Sequence, residues 1–172
     1  VIGLVVSTLV LRIRRQERGA VEREQRTASL YALSRDLGSA RDEAEAARAI
    51  ARHVGDVFDS GVAVLLPDAT GGLAVASGMP LDVQDLAVAR WTFEHEESAG
   101  IGTDTLPGAR VHCVPLRSGP HVLGVLVLAG EDAAHARIAD RALLDAFARQ
   151  GALAIERAQL VEESKAAALR AQ

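Results

Sequence analysis

The chain has 172 residues, enough for one domain with helical extensions, and its formal charge of −4 excludes a broadly basic nucleic-acid surface. Apolar residues make up 49% of it but aromatics only 3%, so a core must be built from Ala, Val and Leu. The single cysteine, Cys113, excludes an internal disulfide and a multi-cysteine zinc cluster, and a reducing compartment is the simplest expectation.

Residues 1–11 are almost wholly apolar, and Arg12, Arg14 and Arg15 follow them. At about 1.5 Å per residue this run covers roughly 16 Å, half of a bilayer core of roughly 30 Å. It reads as the last part of a transmembrane helix with a cytoplasmic basic flank, the alternative being the start of a buried helix. The charges follow the apolar run, the reverse of the order in a signal peptide. Residues 17–39 are charged and helix-forming, with Leu30, Leu33 and Leu37 on one side, and make a connector helix. Ser39 and Asp42 can start the next helix, in which Ala46, Ala47, Ile50, Val54 and Val57 share a face up to Phe58.

Two hairpins and a helix follow. Residues 62–66 and 73–77 are short apolar strands joined by the turn sequence DATGG. Asp82 caps a helix running to about His95, with Val83, Leu86, Ala87, Arg90 and Trp91 on one side. Residues 111–116 and 122–128 flank a second turn, and the later strand is apolar on both faces, as a central strand would be. Residues 130–136 form a polar linker. From about Ile138 one helical pattern without proline continues to Leu169. Along it Leu144, Phe147, Ala148, Gly151, Ala154, Ile155, Ala158 and Val161 make a broad face that suits a sheet and a second helix together. The summed order implies an α+β domain on an antiparallel sheet, the first and last helices on one sheet face and the helix near Trp91, with its following loop, on the other. A ligand cavity would fall on that second face.

The least ordinary segment is residues 91–107, WTFEHEESAGIGTDTLP. It holds the single tryptophan, a Gly-Ile-Gly run, and then Thr103, Asp104 and Thr105, which is the composition of a binding or switching loop. Thr and Asp side chains also satisfy backbone N–H groups in plain turns, so a structural loop is the competing reading. His112 and Cys113, in the next strand, complete the set of ligand-binding or switch candidates with Trp91, His95, Thr103, Asp104 and Thr105. Cys113, in a Val-His-Cys-Val-Pro run, suits packing as a small apolar side chain.

The arrangement resembles a GAF domain, and particular strings resemble the one in KdpD-type sensor histidine kinases. These are RTASLYALSRDL at residues 26–37, WTFEH at 91–95, AGIGTDTLP at 99–107, and VPLR at 114–117 before LGVL at 123–126. The resemblance implies a GAF-like antiparallel sheet with N- and C-terminal helices on one face and a pocket-side helix and loops on the other. It divides the chain into residues 1–16, the end of a transmembrane helix and its flank; 17–39, the connector; 40–136, the GAF-like core; and 137–172, the final core and signalling helix. It further implies the cytoplasmic domain of a bacterial inner-membrane protein, a homodimer coupled to transmembrane and kinase domains of the same chain, and potassium-responsive phosphorelay signalling. Leu30, Leu33, Leu37, Leu144, Phe147, Gly151, Ala154, Ala158 and Val161 are the residues expected on the dimer and signalling helices.

Enzymatic motifs are scarce. The sequence has neither a phosphate-binding G-x-x-x-x-G-K-[ST] loop nor a G-x-S-x-G nucleophile elbow. His53, His95, His112, His121 and His135 are scattered, with no H-E-x-x-H or Cys/His pairing, so neither a metal nor a cofactor is expected. Reductase-like GAF members use several cysteines, and the Asn-Lys-Phe-Asp type of motif of cyclic-nucleotide-binding members is impossible in a chain without asparagine. The leading expectation is a non-catalytic sensor or relay. A small-molecule receptor with a pocket near Trp91, holding an unidentified ligand, is the alternative, and a small enzyme is a distant third.

Overall fold

The computed structural model describes residues 2–130 and 138–171; most of the expected polar linker, with His135, lies outside the described residues. Helix α1 spans Ile2–Ser39 without a break, so the apolar start and the charged connector form one helix instead of two pieces. Nothing in its sequence interrupts it: residues 2–39 contain no proline and are rich in helix formers. No helix among the described residues is long and apolar enough to cross a membrane. The Ser39 hydroxyl turns back to the Asp36 carbonyl at 2.9 Å, and the chain leaves the helix at Ala40.

Helix α2, Glu43–Phe58, starts on Asp42, whose carboxylate accepts the Glu45 N–H at 2.7 Å while Glu45 accepts the Arg41 N–H at 2.8 Å. It ends on Asp59 in the left-handed region at φ 47°. Strands β1, Gly61–Pro67, and β2, Leu73–Gly78, form the first hairpin around Asp68, which accepts from the N–H groups of Thr70 and Gly72 and from the Thr70 hydroxyl. Helix α3, Val83–His95, is capped by Asp82, which accepts the Asp85 N–H at 2.8 Å. A two-residue strand β3, Ala99–Gly100, is hidden inside the expected loop. Strands β4, Val111–Ser118, and β5, His121–Ala129, make the second hairpin, and α4 runs Ile138–Arg170.

The sheet is antiparallel with order β2-β1-β5-β4-β3. Alternation divides the core into two. Val62, Val64, Leu66, Val114, Leu116, Leu126 and Leu128 face the α1, α2 and α4 helices, whereas Ala63, Leu65, Val111, Cys113, Val125 and Val127 face α3. Helices α1 and α4 lie side by side on one side of the sheet, as expected, with α2 and α4 in direct contact with it and α1 packed on those two helices. One expectation needs correction. The buried stripe of α3 is Val88, Ala89 and Thr92, while Val83 is 84% exposed and Ala87 and Arg90 face outward. Leu86 and Trp91 of the expected stripe do pack against the α3-side core, so the buried face is rotated and not reversed.

The residues expected on the dimer and signalling helices do lie on α1 and α4, but nearly all of them point into the chain's own core. Leu33, Leu37, Leu144, Phe147, Gly151, Ala154 and Ala158 are buried within the single chain, and Leu30 packs against the same core. Gly151 lies so close to Ile50 that a Cβ there would stand 2.7 Å from the Ile50 Cδ1. These side chains are spent on joining α1, α2 and α4. Of the expected set, Val161 remains exposed, and it neighbours Leu153 and Leu160, 58% and 60% exposed.

Candidate functional site

Trp91 is half-buried against the core beneath α3. Its indole stacks on the His95 ring, with centroids 4.1 Å apart and planes 8° from parallel, and the His95 Nδ1 lies 3.0 Å from the Trp91 carbonyl oxygen. One helical turn separates the two residues, so the i,i+4 geometry of α3 itself supplies the stack. The aromatic wall expected for a ligand is therefore occupied by the neighbouring imidazole. Behind it, Ala63, Leu65, Ala89, Ala99, Cys113, Val125 and Val127 each have zero exposure, so no water-sized void touches them.

Thr103 holds the following loop together. Its hydroxyl lies 2.8 Å from the Gly100 carbonyl oxygen and 2.6 Å from that of Thr105, and it accepts the Thr105 N–H at 3.2 Å. Backbone bonds from Gly100 N to Thr105 O, 2.8 Å, and from Ile101 N to Val111 O, 2.9 Å, complete the brace. Asp104 is exposed at the tip, and Leu106 takes a left-handed φ of 54°. Arg110 then pairs with Asp82 at the start of α3, and Arg117 donates to the Glu96 carbonyl at its end, 2.7 Å away.

His112 and Cys113 point to opposite sides of β4, as adjacent strand residues must. The His112 Nδ1 lies 2.9 Å from the Ile101 carbonyl oxygen. Burial holds the imidazole below its ordinary value of 6.5, with Arg141 adding to the shift and the Ile101 hydrogen bond and Asp145 opposing it. The Cys113 thiol is sealed in the α3-side core, where burial, aided by the Asp85 carboxylate and opposed by the Thr92 hydroxyl, pushes it up to about 12. A thiol held there stays protonated at neutral pH and is a poor nucleophile. Thr92, which the sequence did not single out, is fully buried beside it, and its hydroxyl makes no ordinary hydrogen bond among the described residues. The seven candidates thus do not converge on one cavity: they divide among the end of α3, the loop and the two faces of β4. A surface cleft of about 810 Å³ lies elsewhere, where α1 leaves α2 and α4, lined by Glu22, Arg26, Asp56, Phe58, Asp140 and Leu143 among others. Among the described residues no group of three or more His, Cys, Asp and Glu side chains is placed to hold a metal ion.

The polar network that sequence reasoning missed joins α1 to α4. Arg26 pairs with Asp140 at 2.9 Å, the Ser34 hydroxyl donates to Gln150 at 2.7 Å, and Arg157 donates to the Leu37 carbonyl. Partner numbers rise together along both helices, so α1 and α4 run parallel. These partners are more than a hundred residues apart, and no local pattern announces them. Asp36 ties α1 to α2 through Arg52, 2.7 Å, and His53, 2.8 Å; the His53 hydrogen bond, with the charges of His53, Arg52 and Arg35, holds its carboxyl below the usual range against desolvation.

Apart from that of Cys113, these shifts have one sign. His112, Asp36, Asp68 and Asp82 all have folded-state values below their ordinary ones, so their stabilising effect is complete above those values and is lost on acidification. The loss begins below 6.5 for His112 and below 3.8 for the three aspartates. Thermal melts should therefore show a falling midpoint from about pH 7 to about pH 5, and His112→Asn, which keeps a donor for Ile101, should flatten that slope. An unchanged slope in the variant would assign the loss to other groups.

Residues 42–157 match the profile of the GAF domain family. The chain belongs to that family. Across 168 residues it is 34% identical to the sensor protein KdpD of Escherichia coli strain K12, covering 96% of this chain and 19% of that protein. The sensor protein KdpD of Clostridium acetobutylicum is 23% identical over 175 residues, again 96% of this chain and 19% of the relative. The chain thus spans about a fifth of the length of these curated relatives. The crystal structure of the GAF domain of the E. coli potassium sensor histidine kinase KdpD superposes with a TM-score of 0.72 and 30% identity, covering 80% of this chain and 98% of that domain. The GAF fold is therefore common to both.

Proposed function

We propose that this GAF domain is a non-catalytic cytoplasmic relay in a bacterial membrane sensor histidine kinase of the KdpD type, with potassium-responsive output. The observation that carries the reading is the parallel, cross-linked pair α1 and α4. Because Arg26 meets Asp140 at the start of α4, about two dozen residues of α1 project beyond one end of the pair. Because Arg157 meets Leu37 near the end of α1, the last dozen or so residues of α4 project beyond the other. A rotation or shift of the entering helix would be passed sideways through these contacts to the leaving helix, biasing a downstream kinase between two states.

A homodimer fits this mechanism, with Leu153, Leu160 and Val161 as its contact on α4 in place of the core residues first assigned to it. Residues 1–16 would continue from a transmembrane helix. The small-molecule receptor has less support, since the Trp91 ring is covered by His95 and the interior behind it is filled.

Insertions between Gly19 and Ala20 test the relay in the full-length kinase in membranes. One inserted residue rotates the entering helix by about 100°, whereas seven restore its facing to within about 20°. Autophosphorylation should change several-fold with one residue and remain near wild type with seven. Output indifferent to both insertions would sink the relay.

A further inference from the structure

We propose that Arg141 is a latch coupling the loop of residues 101–106 to the first turns of α4, so that displacement of the loop is transmitted to this helix. The loop behaves as one body because its polar groups are closed on themselves through Gly100, Thr103 and Thr105. Two successive carbonyls of that body are gripped from outside by side chains of different elements. His112, paired with Leu128 of β5 on one side and Gly100 of β3 on the other, holds Ile101 at 2.9 Å. Arg141, on the exposed side of α4, reaches the Gly102 carbonyl at 2.5 Å. The sheet contact serves as the pivot and the helix contact as the tie. Arginine suits the second role because its planar fork, on a long stem, can hold a carbonyl while its own backbone stays in the helix. Gly102, at φ 77°, presents that carbonyl from a backbone conformation that side-chain-bearing residues rarely adopt. The arrangement places the exposed Asp104 tip two residues from a direct connection to α4.

The inference rests on α4 being the output helix only for its signalling consequence; the physical coupling is testable in the chain itself. Amide hydrogen exchange would be compared in the wild type, Arg141→Ala, Arg141→Lys, Thr103→Val and the Arg141→Ala/Thr103→Val pair. Loss of one ordinary hydrogen bond should speed local opening about two- to tenfold. Arg141→Ala should therefore accelerate exchange at Ile101, Thr103 and the α4 amides around Leu144, while amides of residues 147–155 keep their protection. Arg141→Lys, which retains a cationic donor, should restore part of it. Thr103→Val, which loosens the loop, should accelerate the Leu144 region when Arg141 is present and add nothing there when it is Ala. Unchanged loop exchange in Arg141→Ala, or a Thr103→Val effect reaching α4 equally without Arg141, would overturn the latch. Should Arg141→Ala lose protection throughout residues 147–155, the Lys variant decides: loop protection below wild type with an intact core supports the latch, and full wild-type protection at the Leu144 region after Thr103→Val opposes it. Kinase output in the full-length protein separately reports whether α4 carries the signal.

Discussion

Phe147→Ala should lower the unfolding free energy by about 3–5 kcal/mol, the usual cost of removing a buried phenyl ring and leaving a cavity. Phe147 has no exposed surface and meets the Phe58 ring edge-on, with centroids 6.3 Å apart and planes at 73°. Apart from Phe58, the other described side chains of this core are aliphatic, so the void can be refilled only in part. Denaturant titration at several protein concentrations measures the effect. The shift should be present at every concentration, because the ring is enclosed by its own chain. In the proposed homodimer, Leu160→Asp, on the exposed face of α4, should instead reduce the mass seen by light scattering with little change in the unfolding of the chain itself. A Phe147 variant as stable as wild type would remove the ring from the core; a Leu160 variant with an unchanged dimer would move the subunit contact elsewhere.

Gly100→Ala should cost about 2–4 kcal/mol, combining an unfavourable backbone conformation with a forced contact. Gly100 has φ 102°, and a Cβ there would stand 2.0 Å from the Val111 carbonyl oxygen. That oxygen accepts the Ile101 N–H, so it cannot move without opening the β3–β4 pairing. The substitution is small in sequence and large in consequence because the obstruction is backbone, which has no rotamer to change. Urea unfolding followed by circular dichroism should show a lower midpoint with near-native secondary structure before the transition. A midpoint within experimental error of wild type would mean that β3 does not pair as described.

Much of the architecture was legible in local pattern. Asp42 and Asp82 act as the caps expected of them, because an aspartate before a helix finds the same backbone N–H groups in almost any context. The apolar run of β5 called for a central strand, and its place between β1 and β4 follows. The segment around Trp91 was less legible. Its residue types suited a ligand as well as a self-contained loop, and only geometry places His95 over the indole and Thr103 against Gly100 and Thr105. The face of α3 was legible only in part: Leu86 and Trp91 pack on the core as expected, but Val83 is as apolar as Val88, and hydrophobic periodicity alone gives no preference between them.

The sequence by itself determined the main helices and both hairpins, the caps at Asp42 and Asp82, the α+β class and the alternation that gives the sheet two buried faces, though not the short strand β3. It did so because these follow from contacts within a few residues. The tertiary structure alone decided that α2 and α4 lie on the sheet, that Leu30, Leu33 and Leu37 of α1 and Gly151, Ala154 and Ala158 of α4 are consumed inside one chain, and that α1 and α4 run parallel through Arg26, Ser34 and Arg157. The α1–α4 pairing depends on residues more than a hundred positions apart, and even Ser118 and Glu156, which join β4 to α4, lie beyond any local pattern. Which of several comparable apolar surfaces meets which is fixed by the mutual fit of all the elements, a property that no window of sequence contains.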